Sequence, residues 1–567
     1  MPKIVVVGGV AGGASVATRI KRLNPLADIV IFERGEHVSF SNCSLPYHLS
    51  GTVANSKALI MMTPDRFKKQ HDISVRVGCE VIDINREKKT VVVRDLSTGS
   101  DFEEAYDKLV LAPGANAILP KSIGGINLPH VFVVRNVSDI RRLKAHIDAV
   151  GSQDVAVVGG GFVGLEVAEN LREAGKSVSL IEGTDQVMAP LDQDMVQIVH
   201  KEMMDKGISL HLSSMVTEIT PDSVKAVKAG EEIQIPAQTV VLSIGVAPET
   251  ALAQKAGLEL GERRGIRVNH NYQTNDPDIY AVGDAIEAYD RLARKYGALA
   301  LAGPAQRQAR AAADHICGIH HNNKGYIASS CLRVFEQNVA CTGMNEKTAQ
   351  RAGIPYDVAY VLPADKVSIM PESHYMAFKL IFEVPTGRIL GAQAVGKGDV
   401  VRRVDVIAAM ITMGGTLEDL KELELCYSPV YGTAKDVVNM AALVGLNILY
   451  GKVRQIRVSQ VRQLVESGAC IIDVREEAEF EAGHLKGAIN IPLSQLHQRM
   501  GEIPKDIPVY LHCRTSQRSY YACCYLQGNG FRNLYNISGS YLGISLYEYF
   551  TDCTTGREPI LTRYNFN

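Results

Sequence analysis

No two of the 11 cysteines stand as Cys-x-x-Cys, their number is odd and they are scattered. That excludes a disulfide framework and leaves no spacing for a zinc site, so no metal is expected. No apolar run reaches the roughly 18 residues of a membrane helix. A net charge of −2 provides no surface for polyanions and argues against a nucleic-acid partner. The apolar first residues hold one lysine and then glycines, which fits a strand and turn rather than a signal peptide. A soluble, cytoplasmic chain is expected. Its 567 residues suggest about four domains at roughly 150 residues each.

What the chain does contain is the same nucleotide-binding pattern twice. The first copy is the apolar run 3–7, then Gly8-Gly9-Val10-Ala11-Gly12-Gly13, a predicted helix over 14–23, and a strand over 28–33 ending in Glu33. The second is the run 154–158, then Gly159-Gly160-Gly161-Phe162-Val163-Gly164, a helix through Ala174, and a strand over 177–181 followed by Glu182. Glycines let backbone approach a pyrophosphate, the helix N-terminus supplies N–H groups and positive dipole, and the acid accepts ribose hydroxyls. Two such turns imply one bound dinucleotide reducing another, as in a flavoenzyme. Glu182 suits the ribose of NADH and would repel a 2′-phosphate, and no arginine follows it in Glu182-Gly183-Thr184-Asp185.

Strand-and-breaker patterns divide the chain. Residues 1–112 and 245–325 form one discontinuous dinucleotide domain and 113–244 a second, inserted in it. Residues 326–450 form an α+β domain, and 455–567 a separate α/β unit. The expected class is α/β, with two Rossmann-like domains.

The first 450 residues resemble the pyridine nucleotide–disulfide oxidoreductases, which hold FAD in the first fold and NADH or NADPH in the inserted one. Val10 stands where a middle glycine is usual, and this Gly-Gly-Val-Ala-Gly-Gly form recurs in the branch containing coenzyme A disulfide reductases and NADH oxidases. The resemblance implies an FAD set of Gly8, Val10, Ala11, Gly12, Gly13, Glu33, Arg34, Asn42, Val81, Ala112, Arg135 and Asp284. For NADH it implies Gly159, Gly161, Phe162, Val163, Gly164, Glu182 and Gly245, with Phe162 where this branch often places an aromatic gate over the flavin.

Ser39-Phe40-Ser41-Asn42-Cys43-Ser44-Leu45-Pro46-Tyr47 holds one cysteine where glutathione-type reductases carry two. A single thiol must pair with something external or cycle through sulfenic acid. The context resembles the coenzyme A disulfide reductases, in which this cysteine forms a mixed disulfide with coenzyme A. Arg19 and Arg22, three apart, share a helix face suited to phosphates. The same likeness implies ligand contacts at Ser15, Arg19, Arg22, Ser39, Asn42, Gln306 and Lys435. Cys426-Tyr427-Ser428-Pro429 resembles the segment that reaches across a homodimer, with Tyr427 hydrogen-bonding the leaving thiolate. Ile369-Met370-Pro371 stands where a second catalytic tyrosine is often found, which implies a roomier, less polar site.

Residues 455–567 resemble a rhodanese domain. Asp473-Val474-Arg475 opens its motif, and the strand 508–512 delivers Cys513 into Cys513-Arg514-Thr515-Ser516-Gln517-Arg518-Ser519, with a helix from about Ser519. Loop N–H groups, the helix dipole and Arg518 would stabilise a thiolate or persulfide there. The whole reads as an NADH- and FAD-dependent homodimeric reductase of coenzyme A disulfide, persulfide or polysulfide, using Cys43 and Cys513. Two rivals remain: an NADH oxidase or peroxidase with a Cys43 sulfenate, and a sulfurtransferase with coenzyme A as carrier.

Overall fold

A computed structural model describes residues 2–566. Its first strand, Lys3–Val7, is buried from Ile4 to Val7. A strand apolar on both faces belongs in the middle of a covered parallel sheet. There it lies, between Asp28–Glu33 and Lys108–Leu111, with Ser74–Val77 and Ile279–Ala281 completing five strands, all parallel. The strand Ile279–Ala281 comes after the second nucleotide unit in the chain. The first sheet is therefore left at Leu111 and finished only after another has been built.

That second sheet runs in the order Ile208–His211, Ser177–Ile181, Asp154–Val158, Thr239–Leu242, Val131–Val133. The outgoing and returning chain lie side by side, Ala115–Ala117 pairing antiparallel with Val246–Pro248. One element differs from expectation. The first helix starts at Ala11 rather than at 14 and takes Gly12 and Gly13 into its first turn. Close packing overrides their poor helix propensity, since a Cβ at Gly13 would fall 1.9 Å from the Gly8 carbonyl oxygen. Later in the chain an alanine-rich helix, Ala302–Ile316, follows a short strand Lys295–Ala298.

The chain forms two compact units, one running through Asp185 and from His211 to Ala328, the other from Gln186 to Leu210 and from Ser329 onward. The second contains an antiparallel sheet in the order Ser330–Val334, Gln337–Gly343, Ile389–Gly396, Met376–Glu383, Tyr356–Val361. It also contains a parallel sheet in the order Arg454–Ile456, Leu534–Ile537, Val509–His512, Cys470–Asp473, Ile489–Asn490. The class is α/β as expected: two Rossmann-like sheets, an α+β part and a last α/β part.

Helix Gln193–Asp205 lies in the second unit although it falls inside the stretch 113–244. Charge shows why. Asp192, Asp194 and Glu346 surround the fully buried Lys379 Nζ at 3.1, 2.8 and 2.5 Å. Burial opposes the lysine charge, but Asp194, Asp192 and Glu346 outweigh it and hold its pKa above the ordinary value. Three carboxylates so close would suit a cation, and the ammonium takes that place. Arg457, at the start of the last part, also pairs with Glu346 and lies 3.5 Å from Asp357.

Candidate active site

The two nucleotide turns are built alike, atom for atom. Gly8 and Gly159 both have positive φ, +92° and +109°, and a Cβ on either would strike the carbonyl of Ala112 or Ser243 at 2.2 or 2.4 Å. Gly13 and Gly164 would each place a Cβ 1.9 Å from the carbonyl oxygen of that first glycine. Glu33 accepts from Gly9 N–H and Gly35 N–H, both at 2.8 Å, and Glu182 from Gly160 N–H at 2.7 Å and Thr184 N–H at 2.8 Å. Each acid thus braces its turn and remains beside it to receive a ribose.

The helices that follow start at Ala11 and Phe162, after Val10 and Gly161, with no side-chain cap and no acid in the first turn. Their N–H groups and positive dipole ends therefore face the turns, which is what a pyrophosphate requires. Val10, at the position of the usual middle glycine, has a φ of −103°, so this position does not need the positive φ that only glycine adopts freely.

Beside the first turn lies a cavity of about 990 Å³. Gly8, Val10, Ala11, Gly12, Glu33 and Arg34 line one part, and Asn42, Val81, Ala112, Arg135 and Asp284 the rest. Gly13 is absent from the lining and works in the helix–turn contact. Arg34 Nη2 donates to Asn116 Oδ1 at 3.0 Å and Arg135 Nη2 to Ala115 O at 2.7 Å, so both guanidiniums are oriented at the rim. Burial pushes the Asp284 carboxyl up, and Arg135 partly offsets it. The volume sits at the upper end for a cofactor site, and the glycine contacts, the open helix end and the acid beside the turn all fit FAD.

At the second turn Phe162 opens the helix Phe162–Glu173, Val163 is exposed and Gly245 has φ +129°. That helix packs on the segment Pro46–His48, and Ser50 Oγ donates to Asn170 Oδ1 at 2.6 Å. Cys43 sits just before that segment in the tight turn Asn42–Ser44, with Ser41 and Ser44 hydroxyls 2.8 Å apart. Its thiol is solvent-accessible. The protein packed around the Cys43 sulfur, then Glu166 and Asp284, push its pKa up. Glu166, on the same helix, is itself raised to about 7 by burial and by Glu169. It has no counterpart among the residues read from sequence. Its one local signal is its place two residues after Gly164.

The candidate coenzyme A residues of this unit meet on two packed helices, Ala11–Leu23 and Ala302–Ile316. Ser15 Oγ donates to Gln306 Oε1 at 2.7 Å. Arg19 Nε donates to Asp314 Oδ1 at 2.7 Å, which fixes the guanidinium plane. Arg22 is exposed on the next turn. Ser39 holds a left-handed backbone, φ +48°, and its N–H donates to Gly9 O at 2.8 Å, tying the cysteine segment to the first turn. In the second unit Tyr427 and Lys435 are both exposed, on the loop before helix Val437–Leu449, and Ile369 is 86 % exposed.

Cys513 ends strand Val509–His512 and is only 1 % exposed, so little beyond a donor's reacting sulfur can reach it. Its N–H donates to Ser540 Oγ at 3.1 Å, and Ser519 and Ser540 hydroxyls stand 3.5 and 4.0 Å from Sγ. Ser516, at φ +75°, turns the loop into helix Gln517–Gly528, which begins two residues before the expected Ser519. Arg518 grips Glu479 through two bonds of 2.6 and 2.8 Å, so its charge is largely offset. Below, the buried Asp473–Arg475 pair braces the fold, Arg475 Nη2 donating to Gly483 O at 2.7 Å. Ser540 carries no sequence signal, since it lies 27 residues beyond the cysteine.

The family model described as pyridine nucleotide-disulphide oxidoreductase matches residues 2–309. Its dimerisation domain matches 330–436, and a rhodanese-like domain matches 457–546. The coenzyme A disulfide reductase of Staphylococcus epidermidis is 32% identical over 443 residues, 78% of this chain and 99% of that protein. Reduced Bacillus anthracis CoADR-RHD superposes with a TM-score of 0.93 at 41% identity, over 96% of this chain and 98% of that one. A NAD-dependent persulfide reductase from A. fulgidus gives 0.89 at 32%, over 96% and 99%. The chain belongs to the pyridine nucleotide-disulphide oxidoreductase family, here followed by its dimerisation domain and by a rhodanese-like domain.

Proposed function

We propose that this enzyme uses NADH and FAD to reduce coenzyme A disulfide or coenzyme A persulfide through Cys43, while Cys513 takes up sulfane sulfur. One observation carries the reading: a single accessible thiol, with no second cysteine in its turn, lies in a segment that also lines the dinucleotide cavity. Such a thiol must use an external sulfur partner. The domain borders that go with it are 1–112 with 245–325 for FAD, 113–244 for NADH, 326–450 for dimerisation and 455–567 for sulfur transfer. Exposed Tyr427, Val430 and Tyr431 on the dimerisation domain suit contact with a second copy. A reducing cytoplasm suits a chain with 11 scattered cysteines.

When bound, FAD carries the electron pair of NADH to sulfur. The Cys43 thiolate attacks the disulfide, one coenzyme A thiolate leaves, and the other stays in a mixed disulfide with Cys43. Two electrons then restore the Cys43 thiolate and release the second thiol. With a persulfide the products are one thiol and one sulfide. Arg19, held by Asp314, and Arg22 would meet the phosphates, and Tyr427 of a second copy would hydrogen-bond the leaving thiolate.

The expected stoichiometry is one NADH consumed per two thiols from coenzyme A disulfide, or per one thiol and one sulfide from the persulfide. Parallel thiol, sulfide and oxygen measurements test it. NADH loss that follows oxygen or peroxide without thiol release would make the enzyme an oxidase or peroxidase working through a Cys43 sulfenate. Sulfur transfer to coenzyme A without NADH loss would make it a sulfurtransferase.

NADH is expected to exceed NADPH in kcat/KM by about 100-fold, since the Glu182 carboxylate beside the turn would face a 2′-phosphate. Glu182→Ala should narrow the gap mainly by loss of NADH efficiency. Equal use of both nucleotides by the wild type would remove Glu182 from this role.

A further inference from the structure

Two hydroxyls stand near the Cys513 sulfur, and they differ in what else they must do. Ser540 Oγ, 4.0 Å from Sγ, accepts the Cys513 N–H and donates its one proton to Ile537 O at 3.1 Å. That hydroxyl is committed to backbone. Ser519, fully buried in the first turn of helix Gln517–Gly528, has its Oγ 3.5 Å from Sγ. Two further acceptors lie within its reach, Asn536 Oδ1 at 2.7 Å and Ser516 O at 3.2 Å. A hydroxyl carries one proton, and here three acceptors compete for it.

Asn536 is the strongest competitor. It is buried on strand Leu534–Ile537, where it pairs with Leu511 on the strand that leads to Cys513. Its Nδ2 donates to Ser516 O at 3.3 Å. A carbonyl can only accept, so the amide nitrogen must face Ser516 and the amide oxygen must face Ser519. That oxygen, at 2.7 Å, outcompetes a neutral sulfur, which is a weak acceptor. A thiolate reverses the order, because a charge-assisted hydrogen bond is roughly twice as strong as a neutral one.

We propose that Ser519 is a catalytic hydroxyl of sulfur transfer, donating to Cys513 Sγ when that atom is a thiolate and turning to Asn536 when the sulfur is carried as a persulfide. The inference rests on Cys513 being a sulfur acceptor. In charging, the Cys513 thiolate attacks the outer sulfur of thiosulfate, the S–S bond breaks, and sulfite leaves with the electron pair. The negative charge then sits on the terminal sulfur, one bond beyond Sγ, and Asn536 regains the hydroxyl. In discharge, cyanide attacks the terminal sulfur, the bond from Sγ to that sulfur breaks, and thiocyanate forms. Sγ leaves as a thiolate with the electron pair. A sulfur departs faster when its negative charge is stabilised. Ser519 therefore aids discharge more than charging.

The experiment separates the two half-reactions in the full-length, FAD-loaded enzyme. Sulfite release from thiosulfate reports charging, and thiocyanate release from the pre-charged enzyme reports discharge by cyanide. Both are read where the charging rate no longer rises with pH. Ser519→Ala should slow discharge about tenfold, the size of one hydrogen bond to a charged group, and leave charging within about threefold. Ser519→Thr keeps the hydroxyl and should restore most of the discharge rate. Asn536→Leu removes the competing acceptor, so discharge should be at least as fast as in the wild type, and the change should add nothing in a Ser519→Ala background. A merely structural role would slow both half-reactions alike. Discharge that is unchanged in Ser519→Ala, slowed equally with charging, not restored by threonine, or slowed in Asn536→Leu overturns the inference while the reading of Cys513 stands. A wild type that makes no thiocyanate overturns that reading, and the inference with it.

Discussion

Cys43→Ser should lose NADH-dependent reduction of coenzyme A disulfide and persulfide by at least about a thousandfold, because a hydroxyl neither ionises in this range nor attacks disulfide sulfur. The variant should still bind FAD, whose pyrophosphate turn at Gly8–Gly13 lies elsewhere, and NADH should still bleach the flavin. Anaerobic flavin absorbance and thiol release on the same sample separate the two half-reactions. Wild-type turnover in the serine variant would mean that electrons reach substrate or oxygen without the thiol. In the wild type the reduction rate should rise with pH above neutrality. Crowding of the sulfur, then Glu166 and Asp284, hold the thiol above its ordinary range, so the attacking thiolate is scarce at pH 7 and grows as the thiol ionises. The serine variant should show no such rise.

Cys513→Ser should abolish thiosulfate- and persulfide-sulfur transfer, again by about a thousandfold or more, yet spare most of the reduction of coenzyme A disulfide. The serine still fills the site and can accept the Ser519 hydroxyl that now points at Sγ, so the fold should survive. What is lost is the atom that bears the persulfide. Arg518→Ala should cost much less, since Glu479 already offsets that guanidinium and the loop N–H groups still cradle the anion. Sulfur-transfer and NADH-oxidation assays on each variant decide the matter. Wild-type values of both activities without Cys513 would show that the appended domain is not catalytic.

Both thiols are legible in the sequence because the features around them are local. A nucleotide turn is a run of six residues whose glycines are demanded by backbone contacts with near neighbours: Gly13 against Gly8, Gly164 against Gly159. The same holds for the cysteine turn at 39–47 and the loop at 513–518. What sequence does not reveal is whatever joins residues far apart in the chain. Arg19 is recognisable as a helix-face cation, but its partner Asp314 lies 295 residues away. Glu166 looks like one more helical acid until packing on the Pro46–His48 segment brings it to bear on Cys43. The Lys379 hub joins three carboxylates from two separate segments, and it explains why residues 186–210 lie with a unit that their position in sequence did not announce.

Pattern, spacing and family resemblance pointed to the chemistry of this chain: two dinucleotide turns, a cysteine with no second cysteine in its turn, a rhodanese-like cysteine loop and the order of the domains. Each depends on short-range backbone geometry or on the reactivity of one atom, and both are carried by residue type. Folding decided the environment of those atoms. Burial and carboxylates raise the Cys43 thiol, Glu479 offsets Arg518, Ser540 holds the Cys513 backbone, and the Tyr360 carbonyl accepts a hydrogen bond from Ser538, two residues before Ser540. Electrostatic and packing energies fall off with distance in space and are indifferent to distance along the chain, so only the assembled structure could reveal them.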